Sequence, residues 1–258
     1  DDWTLQEMQR PAGVSVDGGS LHWQPGSRTA FFTGDSRARA RLYRQDLGGT
    51  AHLVTPGAVN IGSFVFNADG SKILVTSSAL DSPDDLHLVA AGGALERVTR
   101  INPQVDDWIL PTIDAVRWTA PDGAEVEGIL ELPPGWTPDD GPLPLVVEIH
   151  GGPTSATHLE LRFWIYGRTL LAAKGYALLS PNYRGSTGYG KEFLNAGDRE
   201  WGAAMHDDLL DAIDHLVDAG TIDRDRVAIY GGSYGGYAAL VGATFTPDVF
   251  ACAVDIVG

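Results

Sequence analysis

A serine ringed by glycines is where residue type and spacing in this sequence most clearly point to chemistry. Gly231-Gly232-Ser233-Tyr234-Gly235 has the form G-x-S-x-G. Before it runs the apolar Val227-Ala228-Ile229-Tyr230, read as a buried strand; after it Tyr237-Ala238-Ala239-Leu240 opens a helix. A hydroxyl carried on so sharp a strand-to-helix turn needs strained backbone, and neighbours without side chains let the turn close beneath it. The following helix directs its N-terminal amides to the place where negative charge would develop. The alternative is a glycine-rich turn with no chemistry. The pattern alone is weak, and the strand and helix around it carry the nucleophile reading.

Hydrolysis by a serine needs a base and oxyanion donors besides the nucleophile. The elbow supplies one donor, the backbone N–H of Tyr234. A second turn, His150-Gly151-Gly152-Pro153, ends the apolar run Leu145–Ile149 and makes the Gly152 N–H the expected second donor. Its plainer reading is a turn that merely closes a strand. The base is missing: Asp248 and Asp255 follow Ser233, and no histidine does. In α/β-hydrolases the order is Ser, acid, His. His150, His158, His206 and His215 precede the serine and are expected to be structural or solvent-facing; Asp255, inside the last apolar run, is not expected to be the acid. The acid and base are therefore expected outside these residues.

The elements that must hold these turns fall into two groups. Residues 1–104 contain two copies of one pattern, Leu21 to Thr55 and Phe64 to Thr99, offset by about 43 to 44 residues. That is the period of four-stranded propeller blades, with a sandwich of accidental similarity as the alternative. Residues 1–104 are thus expected to be C-terminal blades of a partial β-propeller, since two blades do not close a ring. Residues 100–115, interrupted by Pro103 and Pro111, read as a connector. Residues 105–258 then read as the N-terminal portion of an α/β-hydrolase domain. Its predicted parts are a hairpin around Pro121-Asp122-Gly123, buried strands at 145–149, 176–180, 227–230 and 250–257, and helices over 159–174 and 203–219 closed by Gly175 and Gly220. Such alternation implies a parallel sheet covered on both faces.

Composition is that of an ordinary globular chain, with 43% hydrophobic and 20% charged residues. The net charge of −16 argues against nucleic acid and anionic membranes as partners. The single cysteine, Cys252, excludes an internal disulfide and is expected to be a buried core thiol. No cysteine cluster suggests a metal, and no organic cofactor is implied. The sequence begins with Asp1 rather than an initiator Met, and its start, DDWTLQEMQR, does not read as a signal peptide, so a trimmed chain and a cytoplasmic setting are expected.

GGSYGGY at 231–237, HGGP at 150–153, NYRGSTGYG at 182–190 and the preceding repeat together resemble the prolyl oligopeptidase (S9) family of serine peptidases, in particular its acylaminoacyl-peptidase-like oligopeptidase branch. The resemblance implies a propeller stacked on a hydrolase domain, limiting entry to short peptides. It matches Ser233 to the nucleophile, and Tyr234 and Gly152 to the oxyanion-hole amides. It sets Arg184 and Tyr189 in a loop near the active site, for substrate contact or for bracing. The expected activity is hydrolysis of short or N-acylated peptides, with Asp and His supplied by a remaining C-terminal segment or another chain. A carboxylesterase and a catalytically dead propeller binding module are the alternatives; a homo-oligomer is left open.

Overall fold

The computed structural model describes residues 13–16, 20–162 and 168–258, so the N-terminal DDWTLQEMQR and part of the helix expected over 159–174 lie outside the described residues. The chain divides into two compact units, residues 1–108 with 188–190, and residues 109–187 with 191–258.

The first unit is antiparallel throughout its described strands. β1 (Val14–Val16) and β2 (His22–Trp23) both pair with β3 (Thr29–Ser36), followed by β4 (Ala40–Asp46) and β5 (Ala51–Leu53). The second sheet runs β6 (Asn60–Phe66), β7 (Ile73–Ser78), β8 (Asp85–Val89) and β9 (Leu95–Arg97) in sequence order. Each copy of the repeat thus folds as a meander, because every connection is a short turn. At Asn67–Lys72 the Asp69 carboxylate accepts the Ser71 N–H at 2.9 Å, and Gly70 takes a φ of 71°. Phe31, Leu42, Ile61, Phe64 and Val75 form a common core.

The second unit is a six-stranded sheet in the order β10-β11-β13-β12-β14-β15. Its strands are β10 (Thr112–Thr119), β11 (Glu125–Leu132), β12 (Leu143–Ile149), β13 (Ala177–Asn182), β14 (Ile222–Gly232) and β15 (Cys252–Ile256). Its helices are α1 (Arg168–Ala173), α2 (Lys191–Asn195), α3 (Ala204–Asp218) and α4 (Tyr234–Phe245). The side chains of the central strands alternate between two cores. Val146, Leu178 and Tyr230 meet Ala172 of α1. Leu145, Val147, Leu179 and Ile229 meet Met205, Leu209, Ile213 and Leu216 of α3, and Ala238 and Ala239 of α4. Each large α3 residue so buried stabilises the unit by about 1.5–3 kcal/mol.

Three expectations are corrected. The sheet is mixed rather than wholly parallel, because β11 of the hairpin pairs antiparallel with β13. Residues 159–162 are not helical: Leu159, Glu160 and Leu161 are all buried, a consecutive run that one helix face does not produce. Cys252 is exposed in β15 rather than a buried core thiol. No helix among the described residues is long and apolar enough to cross a membrane.

Candidate active site

β12 and β14 are parallel neighbours, with Ile149 opposite Gly231, so the turns that leave them start side by side. Ser233 sits between β14 and α4 with φ 56° and ψ −122°, a left-handed conformation that costs a non-glycine residue on the order of 1–3 kcal/mol. Backbone bonds hold it there: its N–H donates to Ile256 O at 2.9 Å, and its carbonyl accepts the Tyr237 N–H at 3.0 Å. The side chain is exposed.

The flanking glycines are required by space. A Cβ at Gly235 would lie 2.0 Å from Ile149 O, and one at Gly231 would lie 2.6 Å from both Ile149 O and the Gly235 carbonyl carbon. Three backbones, the end of β12, the end of β14 and the first turn of α4, converge where any side chain would push them apart.

α4 begins at Tyr234, so the Tyr234 amide is among those an α-helix leaves without an intrahelical acceptor. From the other side, a Cβ at Gly151 would lie 3.4 Å from Ser233 Cβ and 4.0 Å from its Oγ. Gly152 is exposed with a φ of 121°. The structure therefore brings the 150–153 turn, Ser233 and the start of α4 together.

Beneath this turn His150 stacks on Tyr183 at a ring separation of 4.5 Å. His150 Nδ1 is 2.8 Å from Gly151 O, and Nε2 is 3.1 Å from Ser186 Oγ. Tyr183 donates its hydroxyl to His150 O at 2.8 Å. Burial pushes the His150 imidazole down to about 4, so it is neutral near pH 7. Burial likewise pushes the Tyr183 and Tyr234 phenols up, so both stay protonated.

Arg184 is buried and fully engaged. It meets Asp208 of α3 through Nη2 at 2.7 Å and Nε at 3.0 Å, and Asp122 of the β10–β11 turn through Nη1 at 2.6 Å. These hydrogen bonds, the one to Asp208 foremost, raise the guanidinium above its ordinary value. Arg184 thereby ties the 183–187 loop to α3 and the hairpin. Tyr189 is half-buried and falls with residues 188–190 in the first unit, so the two residues expected to act from one loop are divided between units.

His206 is buried, with Nε2 2.9 Å from Thr246 Oγ1. The Arg184–Asp208–Asp122 cluster escaped sequence reasoning, although one signal was present. Asp208 lies on the apolar stripe of α3 between Met205, Leu209 and Ala212, and a carboxylate in such a stripe needs a buried partner. Similarly, Glu131 and Glu148 interrupt apolar strands because both meet the buried Arg168, at 2.6 and 3.1 Å.

Comparison with known proteins agrees with this arrangement. The description "Prolyl oligopeptidase family" matches residues 163–258. Dipeptidyl aminopeptidase BIII of Pseudoxanthomonas mexicana is 40% identical over 213 residues, covering 80% of this chain and 30% of that protein. The acylamino-acid-releasing enzyme of Homo sapiens is 27% identical over 227 residues, covering 83% of this chain and 30% of its own length. The structure of Pyrococcus horikoshii acylaminoacyl peptidase superposes with a TM-score of 0.80 at 23% identity, over 95% of this chain and 37% of that one. That likeness establishes the fold, propeller blades followed by an α/β-hydrolase sheet. The chain spans roughly a third of the length of these relatives. On these matches the chain belongs to the prolyl oligopeptidase family.

Proposed function

We propose that this chain carries the nucleophile and oxyanion hole of a serine peptidase acting on short peptides. The observation that carries the reading is Ser233 itself: exposed, backbone-strained, at the head of α4 and beside a second glycine turn. In the proposed reaction Ser233 Oγ attacks the peptide carbonyl carbon and gives its proton to a histidine outside this sequence, held by an acid also outside it. The Tyr234 and Gly152 amides receive the oxyanion, each contributing about 3–4 kcal/mol to the transition state. Collapse of the intermediate breaks the C–N bond, the amine leaves with the histidine's proton, and water then releases the acyl group by the same steps. Arg184 acts here as a brace for the 183–187 loop, since its donors are taken by Asp208 and Asp122.

The relatives' names divide between dipeptides and acylamino acids, so the substrate proposed is a short peptide cut near its N-terminus, N-acylated or free. A propeller ahead of the sheet supports a peptide over a small ester. Fluorophosphonate labelling of the full-length protein tests the nucleophile: labelling that disappears in Ser233→Ala is expected, and none in a folded sample overturns it. Hydrolysis of a dipeptidyl anilide, an acylaminoacyl anilide and a p-nitrophenyl ester then ranks substrates. Cleavage of the ester alone would make the protein an esterase.

A further inference from the structure

We propose that the cavity between the two sheets of the first unit binds the C-terminal end of a short peptide, its last side chain apolar and its α-carboxylate held by Arg44. The cavity measures about 600 Å³, within the roughly 300–1,000 Å³ of small-ligand sites. Its walls come from β3, β4 and β5 on one side and from β7, β8 and the turn after β8 on the other. It lies over the core that the sheets share: Phe31 is buried at its floor, and half-buried Val54, Ile73 and Val89 flank it. Among the described residues that line it, Arg44 alone is charged, and it meets no carboxylate among the described residues. Arg44 stands opposite Phe31 in the β3–β4 register, which sets a guanidinium beside an apolar floor. One guanidinium fork matches one carboxylate, whereas a phosphate calls for more positive charge than this wall offers.

A strand edge reaches the same cavity. Among the described strands, β5 has β4 as its only partner. Val54, the residue after β5, donates its N–H to Leu42 O of β4 at 2.8 Å. Strand backbone alternates, so the N–H and C=O of Leu53, one residue earlier, point away from β4. Leu53 lines the cavity and is 46% exposed. An extended peptide can add to such an edge through its main chain. The turn after β8 closes one end of the edge, since a Cβ at Gly93 would collide with Val54 O. A strand laid along β5 meets this turn, which favours a chain end over a chain passing through. An acyl chain has no backbone groups to offer Leu53, so edge, floor and Arg44 together select a peptide terminus.

The test uses the full-length protein carrying Ser233→Ala, so that the probe stays intact. The probe is acetyl-Ala-Val-(4-benzoyl)Phe with a free carboxylate. Photo-crosslinking yield against probe concentration, read by peptide mapping at residues 44–54 and 71–93, reports binding at this cavity alone. Saturable crosslinks there are expected. Arg44→Gln is expected to weaken them about 10-fold or more, and amidating the probe's carboxylate should cost as much. In Arg44→Gln the acid and the amide should bind alike, because the two changes remove one interaction. Ser71→Trp, which fills the cavity from an exposed turn and keeps Arg44, should abolish the crosslinks. Both side chains are exposed, so both variants are expected to fold, and unchanged urea midpoints check this. Crosslinks confined to other segments, or binding indifferent to Arg44→Gln, would overturn the proposal. Dodecanoate displacing the probe with the same dependence on Arg44 would give the cavity to an acyl chain and overturn the peptide assignment. The proposal makes no use of Ser233, so a wild type without hydrolysis or labelling would sink the peptidase reading and leave this one standing.

Discussion

The first unit repeats itself; the second crosses over. In the first, β3-β4-β5 and β6-β7-β8-β9 follow sequence order, so each pairing needs only alternation and a turn. In the second, β13 inserts between β11 and β12, and β12 lies between β13 and β14. That order brings together segments 32 to 82 residues apart, from Leu145 with Ala177 to Ile149 with Gly231. The convergence of backbones at Gly231 and Gly235, the strain at Ser233 and the Arg184 and Arg168 clusters all follow from it. The first unit's buried ionic knot is local by contrast: Asp85 meets Arg97, the Thr99 hydroxyl at 2.7 Å and the Ile101 N–H at 3.0 Å, all within 16 residues. Non-local strand order is what makes a chemical site available, and it is also where single substitutions cost most.

That contrast is most sharply tested at Gly235. Gly235→Ala would drive a Cβ into Ile149 O, where neither backbone can yield. We expect a loss of about 3 kcal/mol or more in unfolding free energy, and fluorophosphonate labelling slowed on the order of 10²-fold as Ser233 shifts. Gly48→Ala in the β4–β5 turn of the first unit meets nothing within 4 Å and should cost only ~1 kcal/mol for its φ of 78°. Comparable losses in urea titrations of the two variants would erase the distinction.

The buried charges give the next largest effect. Arg168→Leu would leave Glu131 and Glu148 facing each other without their cation, at a cost of about 3–5 kcal/mol. Asp85→Ala, whose loss strands only the partly exposed Arg97 side chain and two neighbouring donors, should cost about 1–3 kcal/mol. If Arg168→Leu proved the milder of the two, non-local burial would not be the costly feature.

How much of this could be read beforehand follows the same division. The repeat is legible because its signals are local: Asp69-Gly70 makes its own turn, and Ala30–Thr33 and Ile73–Thr76 are short apolar runs flanked by turn residues. The Ser233 and His150 turns were legible because each ends a strong apolar run and carries its own glycines. What stayed hidden depends on which strand neighbours which. Nothing near Arg184 in sequence announces Asp208, and only the misplaced carboxylate on the α3 stripe hints at it. Cys252 reads as core because its run is apolar, but the side chain is exposed in β15. The stacking of His150 on Tyr183 is hidden for the same reason, since Tyr183 comes from another strand end.

The smallest effect separates the two regions by pH. His150 is held down to about 4 from an ordinary 6.5, so between those values the unfolded chain binds a proton that the folded chain does not. The second unit should therefore lose stability as pH falls from 6.5 toward 4, by about 2 kcal/mol from this group. Asp85 behaves in a lower window. Burial pushes its carboxyl up, but the Thr99 hydroxyl, Arg97 and the Ile101 N–H more than offset that and hold it below the ordinary 3.8. Its contribution is present above about 3.8 and disappears only as pH falls through the lower folded value. Urea unfolding at pH 7, 5.5 and 4.5, followed by proteolysis to assign each transition, should show the second unit weakening while the first holds steady. His150→Asn should flatten the second unit's slope and Asp85→Asn should leave both slopes in this range unchanged; a slope that survives His150→Asn would place the proton uptake elsewhere.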